Sequence, residues 1–309
     1  MTNDYHQPVM VAEALNGLCI NPEGIYVDAT FGGGGHSRAI LQHLGEQGRL
    51  IAFDRDNDAT ANAIDDARFT LLNEDFRHTR NFLRLHGIRK IDGLLADLGV
   101  SSHQFDVAER GFSTRTDGAL DLRMDRRQPT TAADLVNNLD QEGLTRLLKT
   151  YGELPNAAQM AAAIVRARAA EPIVSTQQLC HAVDRHLPRG AENKYLAMLF
   201  QALRIEVNGE LDALKALLEQ SVDLLNPGGR LVVISYHSLE DRLVKHFMRS
   251  GNFDDKVEKD FYGNSLSPLR PVSRGAIKPS DTELEANNRS RSARLRVAER
   301  VGHEETSQQ

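Results

Sequence analysis

Asp28, Asp54 and Asp97 stand at or near the ends of three β-rich apolar runs, and the first run opens into Gly32-Gly33-Gly34-Gly35-His36. Four glycines let a backbone turn sharply and approach a ligand closely. Residues 25–30 read as a strand, residues 37–44 resume helical spacing until Gly45 stops it, and residues 49–54 supply a second strand ending in Asp54. In an open parallel sheet a ligand sits at the carboxyl ends of such strands, and an acid about 20 residues past the glycines suits a pair of ribose hydroxyls. The chemistry expected here is the binding of a nucleoside-containing cofactor.

Charge selects which nucleoside. A dinucleotide places a pyrophosphate on the glycine turn and needs Gly-x-Gly-x-x-Gly or Ala; counted from Gly32 the last place holds Ser37, and from Gly33 it holds Arg38. Asp28 would repel a pyrophosphate and attract the ammonium and sulfonium of S-adenosylmethionine, which is therefore favoured over NAD. No Gly-x-x-x-x-Gly-Lys-Ser/Thr occurs, so a P-loop lacks its lysine. A glycine cluster alone is often a plain loop. The strand before it, the helix after it and Asp54 at the right distance outweigh that reading.

Three more segments reach the same end of the sheet. Glu74-Asp75-Phe76 follows a short third strand at residues 68–72, and Phe76 could stack on an adenine or simply pack. Asp97-Leu-Gly-Val-Ser-Ser-His-Gln104 leaves a fourth strand at residues 91–98. Enzymes that methylate cytosine N4 or adenine N6 often carry an acidic or polar residue followed by Pro-Pro-aromatic at this place, which this chain lacks. The conjugated amine still needs hydrogen-bond acceptors to make its lone pair available, and Asp97, Ser101 and Ser102 are the candidates. His237 follows a fifth strand at residues 230–235; Ser238 reads as the helix N-cap there, with Glu240 and Asp241 in the first turn. His237 is a candidate substrate contact, with a structural role equally open. Ser101, Ser102 and His237 could suggest a hydrolase, but no Gly-x-Ser-x-Gly elbow supports it.

The elements that position these residues alternate β and α up to about residue 108, which implies a parallel sheet covered by helices on both faces. Residues 109–205 carry helix signals instead, including a capping box at Ser175-Thr-Gln-Gln178 and an alanine-rich stretch at 157–170. Helical spacing through Leu211, Leu214, Leu218, Val222 and Leu225, a Pro227-Gly228-Gly229 turn and strand five then restore the sheet. The expectation is a cofactor domain built from residues 1–108 and 206–309 around an all-helical insertion that recognises substrate.

With 309 residues and a net charge of −6, the chain has no global pull toward nucleic acid, so RNA contacts must come from local patches. Arg110, Arg115, Arg123, Arg126 and Arg127 form one, interleaved with Asp117, Asp121 and Asp125; Arg289, Arg291, Arg294, Arg296 and Arg300 form another, in which Leu295 and Val297 alternate as a final strand would. Cys19 and Cys180 lack disulfide or zinc-ligand spacing, and no metal is expected. No signal peptide is legible and no apolar run nears the ~20 residues of a membrane helix, so a cytoplasmic protein is expected. Oligomeric state is left open.

Several long blocks together resemble the bacterial MraW family of small-subunit ribosomal RNA methyltransferases over nearly the whole chain. They are Gly24-Ile-Tyr-Val-Asp-Ala-Thr-Phe-Gly-x-Gly-Gly-His-Ser37, Asp97-Leu-Gly-Val-Ser-Ser102, Asp106-x-Ala-Glu-Arg-Gly-Phe-Ser113, Asp117-Gly-x-Leu-Asp-x-Arg-Met-Asp125, His237-Ser-Leu-Glu-Asp-Arg242 and Asn288-Arg-Ser-Arg-Ser-Ala293. The resemblance implies a Rossmann-like class I methyltransferase that moves a methyl group from S-adenosylmethionine to N4 of one cytidine in the decoding centre of 16S rRNA, within the small ribosomal subunit. The family's cofactor positions fall on Gly34, Gly35, His36, Asp54, Phe76, Asp97 and Gln104, of which His36 and Gln104 come from the resemblance alone. Departures are His103 for a frequent Pro, Phe105 for Leu, Tyr236 for Phe and Ala119 for Pro. A non-catalytic RNA-binding factor and a nicotinamide enzyme are the rival readings; an intact cofactor set argues against the first and the failed fingerprint against the second.

Overall fold

A computed structural model describes residues 8–302, apart from the side chains of Ser102 and Asn288. The chain divides into two compact units, Met1–Gly99 with Asp212–Gln309, and Val100–Leu211. The sequence had suggested divisions near 108 and 206.

The first unit is built on seven strands: β1 Ile25–Asp28, β2 Arg49–Phe53, β3 Phe69–Leu72, β4 Ile91–Asp97, β5 Leu225–Ser235, β6 Leu269–Pro271 and β7 Arg294–Arg300. Their order is β3-β2-β1-β4-β5-β7-β6. β1 to β5 pair in parallel, and β7 runs antiparallel to both β5 and β6. This is the Rossmann-like sheet that the sequence implies. Because strand side chains alternate between faces, one face presents Val27, Ile51, Leu94, Ala96, Leu231 and Val233 to a core that includes Leu83, Leu214, Leu218, Val244 and Phe247. The other presents Tyr26, Leu50, Leu95, Val232 and Ile234 to Ala14, Leu18 and Ile40. With both faces buried, the strands read as nearly continuous apolar runs.

The turn expected at Pro227-Gly228-Gly229 is a bulge inside β5. Ile91 pairs with Leu225 and Gly93 with Arg230, so between these pairs Asp92 alone of β4 stands against residues 226–229 of β5. Gly228 takes the left-handed conformation (φ 81°), and Asn226 Nδ2 donates to Asp92 Oδ1 at 2.8 Å, which keeps the strand in place across the irregularity. Leu225 accordingly begins the strand and does not end the preceding helix, Glu210–Leu224. The helical stretch expected after β2 is a short 3-10 segment, Asn57–Asn62.

The second unit is helical, with Ala132–Asn138, Gln141–Tyr151, Ala157–Ala170, Thr176–Val183 and Glu192–Asn208 around a core that includes Leu144, Leu148, Met160, Ile164, Leu199 and Leu203. Ser175 and Gln178 form the expected capping box. Asn208 is buried among these helices, donating to Leu122 O and Arg204 O while its Oδ1 accepts from Met124 N. No helix among the described residues is long and apolar enough to cross a membrane.

Candidate active site

The carboxyl ends of β1, β2, β4 and β5 bring Asp28, the glycine turn, Asp54, Asp97 and His237 to one end of the sheet. Past β1 the chain is held by Ala29 N–H donating to Leu95 O and Phe31 N–H donating to Phe53 O. It then turns through Gly32 (φ 52°) and Gly34 (φ 76°), both left-handed. A Cβ on Gly34 would stand 2.8 Å from the Phe31 ring, so both conformation and space require glycine there. Asp54 fastens the turn: its Oδ2 accepts from Gly32 N at 2.7 Å and its Oδ1 from Asp56 N at 2.8 Å. Burial pushes the Asp54 carboxyl up to about 6, against the lowering effect of those two amides. Each carboxylate oxygen keeps a lone pair beyond the amide it already accepts, so the group can still receive hydroxyl donors.

Asp28, Asp97, His36 and Tyr236 form a second, connected cluster. Asp28 is fully buried and accepts from Ser37 Oγ at 2.7 Å and Thr30 N at 3.1 Å. Burial raises its carboxyl, opposed chiefly by His36. Asp97 Oδ1 accepts from the Tyr236 hydroxyl at 2.7 Å, and its Oδ2 lies 3.7 Å from His36 Nδ1. Burial lifts Asp97 to about 6; His36 and the Tyr236 bond pull it down, while Asp28 and Glu240 push it further up. His36 Nε2 lies 3.0 Å from Val9 O, an acceptor-only group, which places a proton on Nε2 and turns Nδ1 toward Asp97. Burial and the adjacent Asp97 hold the Tyr236 phenol well above its usual range, so it remains a donor. The arrangement concentrates negative charge, with the Tyr236, Ser37 and Thr30 hydroxyls as donors around it, an environment that suits a cation and opposes a pyrophosphate.

Thr30 and Tyr236 were not singled out in the sequence. Thr30 Oγ1 accepts from Asp97 N at 2.7 Å and its hydroxyl bonds Asp28, so it ties two of the three acids together. Its place two residues past Asp28 was the available signal. Tyr236, the first residue after β5, was visible only as a departure from phenylalanine.

His237 is the N-cap of the helix Ser238–Ser250, a correction to the expectation of Ser238. Extended backbone continues through His237 (φ −136°), leaving Ser238 already helical. The His237 Nδ1 accepts from Glu240 N at 3.4 Å, and Glu240 Oε2 accepts from Tyr236 N at 3.0 Å. Phe76 begins the 3-10 segment Phe76–His78 after β3 and is half-buried against the core. Asp75 caps that segment and pairs with Arg55 at 3.3 Å and Arg77 at 3.0 Å.

In the helical unit, Ser101 and Gln104 cap each other across the start of helix Ser102–Asp106: Ser101 Oγ accepts from Gln104 N and Gln104 Oε1 from Ser101 N. The Ser102 side chain lies outside the described ones. Arg110 is 1% exposed and donates to Arg123 O and Met124 O at 3.1 Å each, which corrects its reading as an RNA contact: its guanidinium closes a loop. Arg123 is engaged by Asp121 at 2.7 Å and by Gln128 O. Arg115, Arg126 and Arg127 are exposed. In the sheet unit Arg289 and Arg291 are exposed as well, whereas Arg296 pairs with Asp241 and Arg300 donates to Val222 O and Pro268 O.

A family model described as the MraW methylase family matches residues 3–301. The chain belongs to the MraW methylase family. Among its relatives, the Ribosomal RNA small subunit methyltransferase H of Flavobacterium johnsoniae is 54% identical over 300 residues, covering 97% of this chain and 99% of that one. The protein of the same name from Cytophaga hutchinsonii is 56% identical over 298 residues, covering 96% and 99%. The glycine turn and the three acids of this MraW methylase all fall within the matched span.

Proposed function

We propose that this MraW methylase transfers a methyl group from S-adenosylmethionine to N4 of one cytidine in the decoding centre of 16S rRNA. The observation that carries the reading is the acidic cradle of Asp28, Asp54 and Asp97 around a glycine turn. Two of those carboxyls sit near 6 through burial, so a bound cation is rewarded for restoring their charge. Membership of a methylase family and relatives named as small-subunit rRNA methyltransferases support the reaction and the substrate class.

The cofactor supplies an electrophilic methyl carbon on a positively charged sulfur. Asp54 would receive its ribose hydroxyls, Phe76 would lie beside the adenine, and the backbone of Gly34 and Gly35 would leave room for the amino-acid portion. Asp97, held by the Tyr236 hydroxyl, accepts from the N4 amine of the target base and turns its lone pair out of conjugation. With the cofactor bound, the N–C bond would form at the expense of the S–C bond, leaving S-adenosylhomocysteine as the product. One N4 proton then leaves, to Asp97 or to water, and no strong base is needed. The helical unit is the proposed reader of the surrounding RNA, with Arg115 and Arg126 among its exposed cations.

Asp97→Ala tests the assignment. It should abolish methylation of small subunits and weaken S-adenosylmethionine binding, with the fold unchanged by circular dichroism; full turnover would remove Asp97 from the mechanism.

A further inference from the structure

A groove of 80 Å³ lies in the sheet unit beside the later turns of helix Ser238–Ser250, lined by Lys245, Met248, Arg249, Arg274, Arg296 and Val297 among others, with no carboxylate in its wall. In a chain of net charge −6 such a lining is an exception to the general repulsion of polyanions. Two of the four cations are already matched, Arg249 by Asp255 and Arg296 by Asp241. Lys245 and Arg274 are exposed and have no carboxylate partner among the described residues. The buried Met248 and Val297 give the groove an apolar base, so the two unmatched cations set its charge.

Size and place narrow the occupant. The groove is open to solvent along one side and has room for a phosphate group between its cations. Lys245 and Arg249 follow His237 along one helix, which puts them roughly 12 to 18 Å from the end of β5 at about 1.5 Å per residue. A strand whose target base reached Asp97 would have neighbouring phosphates at that range.

We propose that this groove holds a phosphodiester of the substrate RNA, flanking the nucleotide that is methylated. The assignment rests on the RNA reading above and adds to it a positioning site separate from Arg289 and Arg291. Phosphate contacts of this kind fix register without reading sequence.

The double variant Lys245→Ala/Arg274→Ala tests it, with the charge-preserving Lys245→Arg/Arg274→Lys as control for folding. Binding of assembled small subunits and of protein-free 16S rRNA is measured between 50 and 200 mM salt (~10 Å screening length at 0.1 M), alongside kcat, KM and S-adenosylhomocysteine affinity. The expected result is weaker binding to both RNAs by about tenfold and a salt slope lower by roughly 0.7 to 1. KM for subunits rises in step, kcat and S-adenosylhomocysteine affinity stay as they were, and the charge-preserving pair behaves as the parent. Unchanged affinity and slope in the alanine pair, while the parent binds and methylates RNA, would overturn the groove assignment alone. Weakened binding to assembled subunits with protein-free RNA unaffected would give the groove to an acidic protein and overturn it too. A parent protein that neither binds nor methylates RNA would remove the functional reading, and this site with it.

Discussion

The Tyr236 hydroxyl donates to Asp97 Oδ1 at 2.7 Å, joining the ends of β5 and β4 across 139 residues of sequence. The bond stabilises the carboxylate form of a group that burial has pushed up to about 6. It also fixes one oxygen, which leaves the other to face His36 and any incoming amine.

Tyr236→Phe therefore separates charge control from shape. The ring still packs beside Gly99, where a Cβ would already meet it at 3.3 Å. A hydrogen bond to a charged group is worth about 1.5 to 3 kcal/mol, so Asp97 should rise by roughly one pH unit or more. The acid limb of the methylation profile should move up by that amount with the rate at pH 8.5 little changed. An unmoved limb would show that Asp97 does not control it.

Asp54→Asn removes one of the two oxygens that hold the Gly32 and Asp56 amides. Its NH2 would then face a donor, costing about 1 to 3 kcal/mol for the amide left unmatched. That cost falls on stability; separately, losing one charged acceptor for a ribose hydroxyl, worth about 1.5 to 3 kcal/mol, should lower S-adenosylhomocysteine affinity in calorimetry by about tenfold to a hundredfold. Affinity equal to the parent's would take Asp54 out of the ribose contact.

How much of this was legible follows from which residues carry their role locally. Asp28, Asp54 and Asp97 close apolar strands, and a carboxylate at the end of a buried parallel strand has one place to go. The sheet was readable for the same reason: Val27, Ile51 and Leu94 alternate with Tyr26, Leu50 and Leu95, and both sets are apolar. Thr30 and Tyr236 gain their roles only when β1, β4 and β5 lie side by side. Arg110 reads as a surface cation because nothing in its neighbours announces that two loop carbonyls will enclose it. Pro227-Gly228-Gly229 reads as a turn because the Asn226 to Asp92 bond that keeps β5 paired is long-range.

The two carboxyls raised to about 6 set opposite pH trends for folding and for ligand binding. An unfolded aspartate titrates near 3.9. With Asp54 and Asp97 near 6, the unliganded fold holds more protons than the unfolded chain between those values, so their contribution to stability falls as pH rises through that window. A cationic ligand requires the ionised form, so its affinity rises over the same range. S-adenosylmethionine binding measured from pH 5 to 7.5 should strengthen by up to about tenfold per unit for each carboxylate that must ionise, levelling off above about 6.5. A flat profile would mean that neither carboxyl meets the cation.

Mass spectrometry of nucleosides from 16S rRNA, after purified small subunits lacking the modification are incubated with the protein and an isotopically labelled methyl donor, tests the central claim most directly. The account predicts one labelled N4-methylcytidine per subunit, mapping to the decoding centre and absent with Asp97→Ala. Label on another atom or another RNA, or none with the unsubstituted protein, would contradict it.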